Sequence, residues 1–129
     1  MRKNSQTGRP SAVAVGRGVE SRAQRWLQSL GWRLLARNYR TPGRFGAEVD
    51  LIFRDPQGVL VFVEVRHRAN LAFGGPAASI TWQKRQRLLR AAQYFLCRYV
   101  APPPCRFDAV LSDGRGELHR VEAAFRVGE

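Results

Sequence analysis

The sequence predicts an α/β domain built in the order helix, three strands, helix, two strands. Three observations carry that expectation. Apolar residues recur at helical spacing in two stretches, Val19 to Leu30 and Leu88 to Tyr99. Between them, two strongly apolar extended segments flank Asp55-Pro56-Gln57-Gly58, a turn sequence. Pro102, Pro103 and Pro104 then stop the second helix ahead of two further extended segments.

Residues 1–16 are rich in Ser, Gly and Arg and lack periodicity, so they are expected to form a flexible basic arm, with one domain over 17–129. In the first helix Val19, Ala23, Trp26, Leu27 and Leu30 make the apolar stripe, and Gly31 is placed to close the helix in a left-handed cap. Trp32 to Arg40 reads as extended, and Pro42-Gly43 turns the chain.

The next two strands, Ala47 to Arg54 and Val59 to Arg68, have a predictable register. Asp55, Pro56 and Gly58 fit a type I turn followed by a left-handed glycine, which makes Asp55 pair with Val59. Ile52 then lies opposite Phe62, Asp50 opposite Glu64 and Glu48 opposite Arg66, all on one face. The other face carries Val49, Leu51, Phe53, Val61, Val63 and Val65, so the hairpin belongs in the centre of a sheet. After a loop containing Phe73-Gly74-Gly75-Pro76, Thr81 can cap a second helix with Leu88, Leu89, Ala92, Phe95, Leu96 and Tyr99 as its core stripe. Arg106 to Leu111 and Glu117 to Phe125, separated by Asp113-Gly114, complete the sheet.

With 129 residues the chain is the usual size of one domain and can bury about two-thirds of the surface it would expose unfolded. No apolar run approaches a membrane span. Twenty-two Lys and Arg against ten Asp and Glu give a formal net charge of +12, which suits a polyanion. Lys3 and Lys84 are the only lysines, so the charge resides on arginines, whose planar forks hold phosphate oxygens in pairs. A solvated basic face is the plainer alternative. Cys97 and Cys105 form no disulfide framework and read as reduced thiols, which together with a short N-terminal apolar stretch points to a cytoplasmic protein.

Asp50 and Glu64 need an explanation, because two carboxylates facing each other across a buried ladder repel and are costly to desolvate. A divalent cation between them is the economical answer, since hard ions are held by paired carboxylates. Neutralisation by Arg66, Arg68 or a helix arginine is the alternative. Glu48, nearer the strand end, suits a salt bridge with Arg66 as well as it suits a metal. Glu20 either joins the cluster as an auxiliary acid or merely occupies a favourable place in the first turn of its helix. Lys84, Arg85 and Arg87 put positive charge at a helix N-terminus, an unfavourable arrangement that a bound phosphate would offset.

Glu20, the segment Glu48-Val49-Asp50-Leu51-Ile52, the segment Phe62-Val63-Glu64-Val65-Arg66 and Arg106-Phe107-Asp108 together resemble the YraN-like family of bacterial proteins. That family is similar to the PD-(D/E)XK nucleases, with Holliday-junction resolvases among its structural relatives, and the likeness covers roughly residues 16–125. The resemblance implies a restriction-endonuclease-like, three-layer α/β/α fold around a mixed sheet. It implies Mg2+ or Mn2+ on Asp50 and Glu64, Glu20 as an auxiliary acid, and a catalytic lysine at position 66. Here the sequence departs: Arg66 stands where lysine is expected, and Ala47 where glycine usually precedes Glu48. Arginine stays protonated and can only clamp charge.

The expected function is a Mg2+-dependent phosphodiesterase on DNA, structured or branched DNA favoured, with Asp50, Glu64, Arg66 and Glu20 as its catalytic group. Lys84, Arg85, Arg87, Arg44 and Arg68 are the candidate nucleic-acid contacts, and Asp108 enters only through the resemblance, an ion pair with Arg106 being its plainer role. A non-catalytic DNA or RNA binder with the same fold is the first alternative, and a basic surface for an acidic protein partner the second. Many relatives of this fold dimerise, so the resemblance carries a homodimer as a candidate assembly. His67 and His119 lack zinc-like spacing, and no Walker loop, dinucleotide fingerprint or serine elbow occurs.

Overall fold

The computed structural model describes residues 12–44, 46–67, 80–113 and 116–125. The elements are α1 (Ala12–Ser29), β1 (Arg33–Arg40), β2 (Glu48–Arg54), β3 (Leu60–His67), α2 (Trp82–Leu96), β4 (Cys105–Ser112) and β5 (Leu118–Phe125). The five strands form one sheet in the order β1-β2-β3-β4-β5, antiparallel except for the parallel pair β3–β4. That single parallel pair requires a crossover, and α2 lies within it.

Two apolar clusters fill the two faces. On one, Ile52, Leu60, Phe62, Phe107 and Ala109 pack with Leu88, Ala91, Ala92 and Phe95 of α2. On the other, Leu51, Phe53, Val61, Val63 and Val110 pack with Ala23 and Leu27 of α1 and with Trp32. The sheet therefore lies between two helices, the three-layer α/β/α arrangement. The alternation that separates Ile52 and Phe62 from Leu51, Phe53, Val61 and Val63 is the period-two pattern of the sequence.

The hairpin has the anticipated turn. Asp55 N–H donates to the Val59 carbonyl, Gly58 sits at φ 88°, and Asp55 Oδ1 accepts the N–H groups of both Gln57 and Val59. Ile52 accordingly faces Phe62, and the ladder runs to Leu51 and Val63. Beyond that pair the β2–β3 ladder ends, and the Val65 N–H donates to the Asp50 side chain. Val49 consequently packs in the cluster against α2, not on the face of Leu51 as strict alternation predicts.

Other boundaries shift for local reasons. Helix α1 starts at Ala12, seven residues before Val19; Gly16 and Gly18 interrupt the apolar period and hide the earlier turns from the sequence. Leu30 follows the helix and is exposed, so it does not extend the buried stripe. Gly31 takes the left-handed conformation at φ 88°, as its capping role demands. Thr81 caps α2 by accepting the Lys84 N–H at 3.1 Å, but the helix ends at Leu96, and Tyr99 packs on the core from beyond it. Among the described residues no helix is long and apolar enough to cross a membrane.

Candidate metal and phosphate site

Where the β2–β3 ladder ends, Asp50 and Glu64 are side by side, 8% and 4% exposed. They come from the two strands of the hairpin, each one residue beyond the last ladder pair, Leu51 with Val63, and their carboxyl groups interact. Asp50 Oδ2 accepts the Val65 N–H at 2.8 Å, which fixes its carboxylate toward β3. Glu64 Oε2 faces two cations, Arg66 Nη1 and Lys84 Nζ, each at 3.4 Å. Its other oxygen, Oε1, is buried without a hydrogen-bond partner. Burial and the neighbouring Asp50 carboxylate push the Glu64 carboxyl up to about 7, against the opposing pull of Lys84 and Arg66.

A buried carboxylate oxygen with no donor is costly. Two adjacent carboxylates, one held by a backbone N–H and the other with a free inward oxygen, suit a hard divalent cation. The donor set is one that Mg2+ or Mn2+ would fit, and Asp50 and Glu64 are the residues that would hold it.

Lys84 is placed differently from expectation. Its ammonium leaves the helix N-terminus and is directed at Glu64, so it is ion-paired with the carboxylate. Long-range placement of α2 over β3 decides this, and no local pattern encodes it. Arg85 is half-buried, with its Nε unpartnered, whereas Arg87 and the β1–β2 turn residue Arg44 are exposed. Arg68 lies outside the described residues, as does the segment Phe73-Gly74-Gly75-Pro76.

Glu48 is not opposite Arg66. It pairs with Arg40 at 3.3 Å, its neighbour across the β1–β2 ladder, and is more than one-third exposed. The missed signal was Arg40, which ends β1 one ladder position from the turn.

Glu20 is half-buried on α1 and, because the helix begins at Ala12, falls in its interior. The preference for acids at helix N-termini therefore does not account for it.

Asp108 is engaged elsewhere. Its carboxylate accepts from Arg106 Nε at 3.0 Å, Arg120 Nη1 at 3.2 Å and the Ala123 N–H at 2.9 Å. Asp55 Oδ2 extends the cluster by accepting from Arg106 Nη1 at 3.1 Å. Both guanidiniums lie over the Trp32 ring, 5.5 and 5.2 Å from its centroid. In the β3–β4 register Asp108 stands beside Val63 and Glu64 beside Ala109, so Asp108 and Glu64 alternate onto opposite faces. The Arg106–Asp108 ion pair of the sequence analysis is present, and Arg120 joins it because β5 bulges opposite Asp108, with Ala123 at φ 52°.

Sequence reasoning also passed over a surface group. Asp113, Glu117 and His119 converge around the β4–β5 turn, with His119 Nε2 3.3 Å from Asp113 Oδ2. Asp113 Oδ1 accepts the Glu117 N–H, which closes that turn.

Over residues 19–111 the chain matches the model of the family described as "Uncharacterised protein family UPF0102". A UPF0102 protein of Paracidovorax citrulli is 56% identical over 115 residues, spanning 89% of this chain and 84% of that protein. One of Albidiferax ferrireducens is 54% identical over 111 residues and spans 86% of each chain. One of Cupriavidus taiwanensis is 46% identical over 110 residues, spanning 85% of this chain and 82% of its own length. The matched region contains both ladder carboxylates, Lys84 and Asp108, and the chain belongs to UPF0102, the YraN-like family.

Proposed function

We propose that the protein is a phosphodiesterase acting on DNA, dependent on Mg2+ or Mn2+ held by Asp50 and Glu64. The observation that carries this reading is the buried, unpartnered Oε1 of Glu64 beside a second buried carboxylate. When bound, the cation would lower the pKa of a water and neutralise charge on the scissile phosphate.

The chain's own residues supply orientation and charge. Asp50, fixed by the Val65 N–H, and Glu64 supply neighbouring, interacting carboxyl groups. Arg66 and Lys84 flank Glu64 and are positioned to hold non-bridging phosphate oxygens as negative charge grows in the transition state. Lys84 also answers the departure at position 66, since a lysine reaches the same carboxylate from α2 instead of from β3. Branched or otherwise structured DNA is the favoured substrate, through the likeness to resolvases, and the cytoplasm the favoured location. Net charge of +12 supports the polyanion in either case.

The test is cleavage of labelled branched, single-stranded and duplex DNA with Mg2+ or Mn2+. Loss of about a hundredfold or more is expected for Asp50→Ala and Glu64→Ala, because the metal-holding group acts as a unit. Cleavage unchanged in both variants would sink the assignment. Arg66, ion-paired where a catalytic lysine is expected, favours a second reading, a DNA or RNA binder without turnover. Salt-sensitive binding with no cleavage by the wild type or by Arg66→Lys would decide for that reading.

A further inference from the structure

The outward side of α2 differs in chemistry from the side that faces the sheet. Helix α2 contains no Asp or Glu along its length. Its exposed positions include Trp82, Gln83, Arg87, Arg90, Gln93 and Tyr94, a surface of aromatic rings, amides and guanidiniums. Trp82 and Tyr94 are 58% and 50% exposed, high values for large rings that most proteins keep covered. They are separated by about 18 Å along the helix, at roughly 1.5 Å per residue.

The face is also concave at its far end. Arg90, Gln93, Tyr94 and Cys97 line a cleft of about 470 Å³ against Thr41 and Pro42 of the β1–β2 turn. Exposed rings bind base faces, but in a duplex those faces are covered by neighbouring bases and only groove edges remain available. An acid-free surface with intervening arginines follows a phosphate backbone without repelling it. A carboxylate-rich protein partner would make use of the arginines but leave the two rings and the cleft without a role.

We infer that the outward face of α2 is a track for an unpaired DNA strand, with Trp82 and Tyr94 as stacking platforms and Arg87 and Arg90 on the intervening phosphates. This rests on the nuclease reading for its purpose. The same first turn of α2 that sends Lys84 inward to Glu64 carries Trp82 outward, so a strand laid on the track passes the catalytic end of the sheet. The unpaired segment, not the duplex arms, is then what the protein recognises in a branched substrate.

The experiment measures fluorescence anisotropy of the full chain with a fluorescein-labelled oligothymidylate and with a blunt duplex of equal length, in EDTA so that no cutting intervenes. Trp82→Ala and Tyr94→Ala are each expected to weaken single-strand binding about tenfold and to change duplex binding less than about twofold. Trp82→Phe is expected to keep single-strand affinity within about threefold, since a ring still stacks. Equal losses on both DNAs, no loss with either alanine, or Trp82→Phe as weak as Trp82→Ala would each overturn the track. Because binding is measured without divalent ions, a protein that never cuts DNA leaves the inference standing. Cleavage that depends on Glu64 alongside unchanged binding by both alanine variants removes the track alone.

Discussion

Two sets of buried acids lie in one sheet and are treated in opposite ways. Asp55 and Asp108 meet Arg106 and Arg120 near the hairpin turn and in the middle of β4, and backbone N–H groups of Gln57, Val59 and Ala123 take further lone pairs. Despite its burial, Asp55 is held below the usual carboxylate range by the Val59 N–H and Arg106. At the other end of the hairpin Asp50 accepts the Val65 N–H and Glu64 meets two cations, but Glu64 Oε1 is left without a donor, and Glu64 rises to about 7. Burial alone therefore does not tell the two sets apart. What separates them is whether every lone pair is answered, since an answered network stabilises a single geometry and an unanswered oxygen retains the capacity to bind.

The largest expected effect comes from breaking the answered set. Asp108→Ala leaves Arg106 and Arg120 facing one another over Trp32 and leaves the Ala123 N–H without its acceptor. Removing one partner of a buried ion network costs about 3 to 5 kcal/mol, and the partial exposure of both arginines places this case near about 3 kcal/mol. Urea unfolding at neutral pH measures it. A loss below about 1 kcal/mol would show that the network contributes no more than a surface pair.

The second effect has the opposite sign and depends on pH. The Glu64 carboxyl is raised from 4.5 to about 7, so its ionised form is the one the fold penalises. Stability from this group is greatest below about pH 4.5, is lost as pH rises from there to about 7, and stays level above. Glu64→Gln removes that slope and is expected to exceed the wild type by up to about 3 kcal/mol at pH 8 in EDTA, with the advantage gone near pH 4. Magnesium should restore wild-type stability above pH 7 and stabilise the glutamine variant much less, because a neutral amide oxygen beside Asp50 holds the ion more weakly than a carboxylate. A difference between the two proteins that does not vary with pH, or equal responses to magnesium, would place Glu64 with Asp108 as a structural acid.

The same contrast explains what was legible in the sequence. Element order and hairpin register are local, and Asp55-Pro56-Gln57-Gly58 encodes the pairing that brings Asp50 alongside Glu64. The approach of Lys84 to Glu64 is not local, because it depends on how α2 settles over the sheet through Leu88, Ala91, Ala92 and Phe95. Arg106 with Asp108 follows from i, i+2 spacing on one strand face, but Arg120 arrives through a bulge at a residue, Ala123, that carries no turn signal. Val49 misled for a related reason: the β2–β3 ladder ends at Leu51 and Val63, Asp50 takes a backbone N–H, and Val49 beyond it packs against α2.

Glu48 marks the lower end of the scale. It shares a short segment with Asp50, yet it pairs with Arg40 at 3.3 Å on the rim of the sheet, where Arg40 is largely exposed and Glu48 partly so. Water screens such a pair and side-chain entropy opposes it, so the expected cost of Glu48→Ala is about 0.2 to 1 kcal/mol. Addition of salt should shrink even that, since charges this exposed are screened at ordinary ionic strength. A double-mutant cycle with Arg40→Ala isolates the coupling. Magnesium affinity separates the remaining alternatives: a titration unchanged in Glu48→Ala leaves Glu48 a rim ion pair, whereas a tenfold weakening would make it a third ligand beside Asp50 and Glu64 and break the distinction between answered and unanswered acids at its edge.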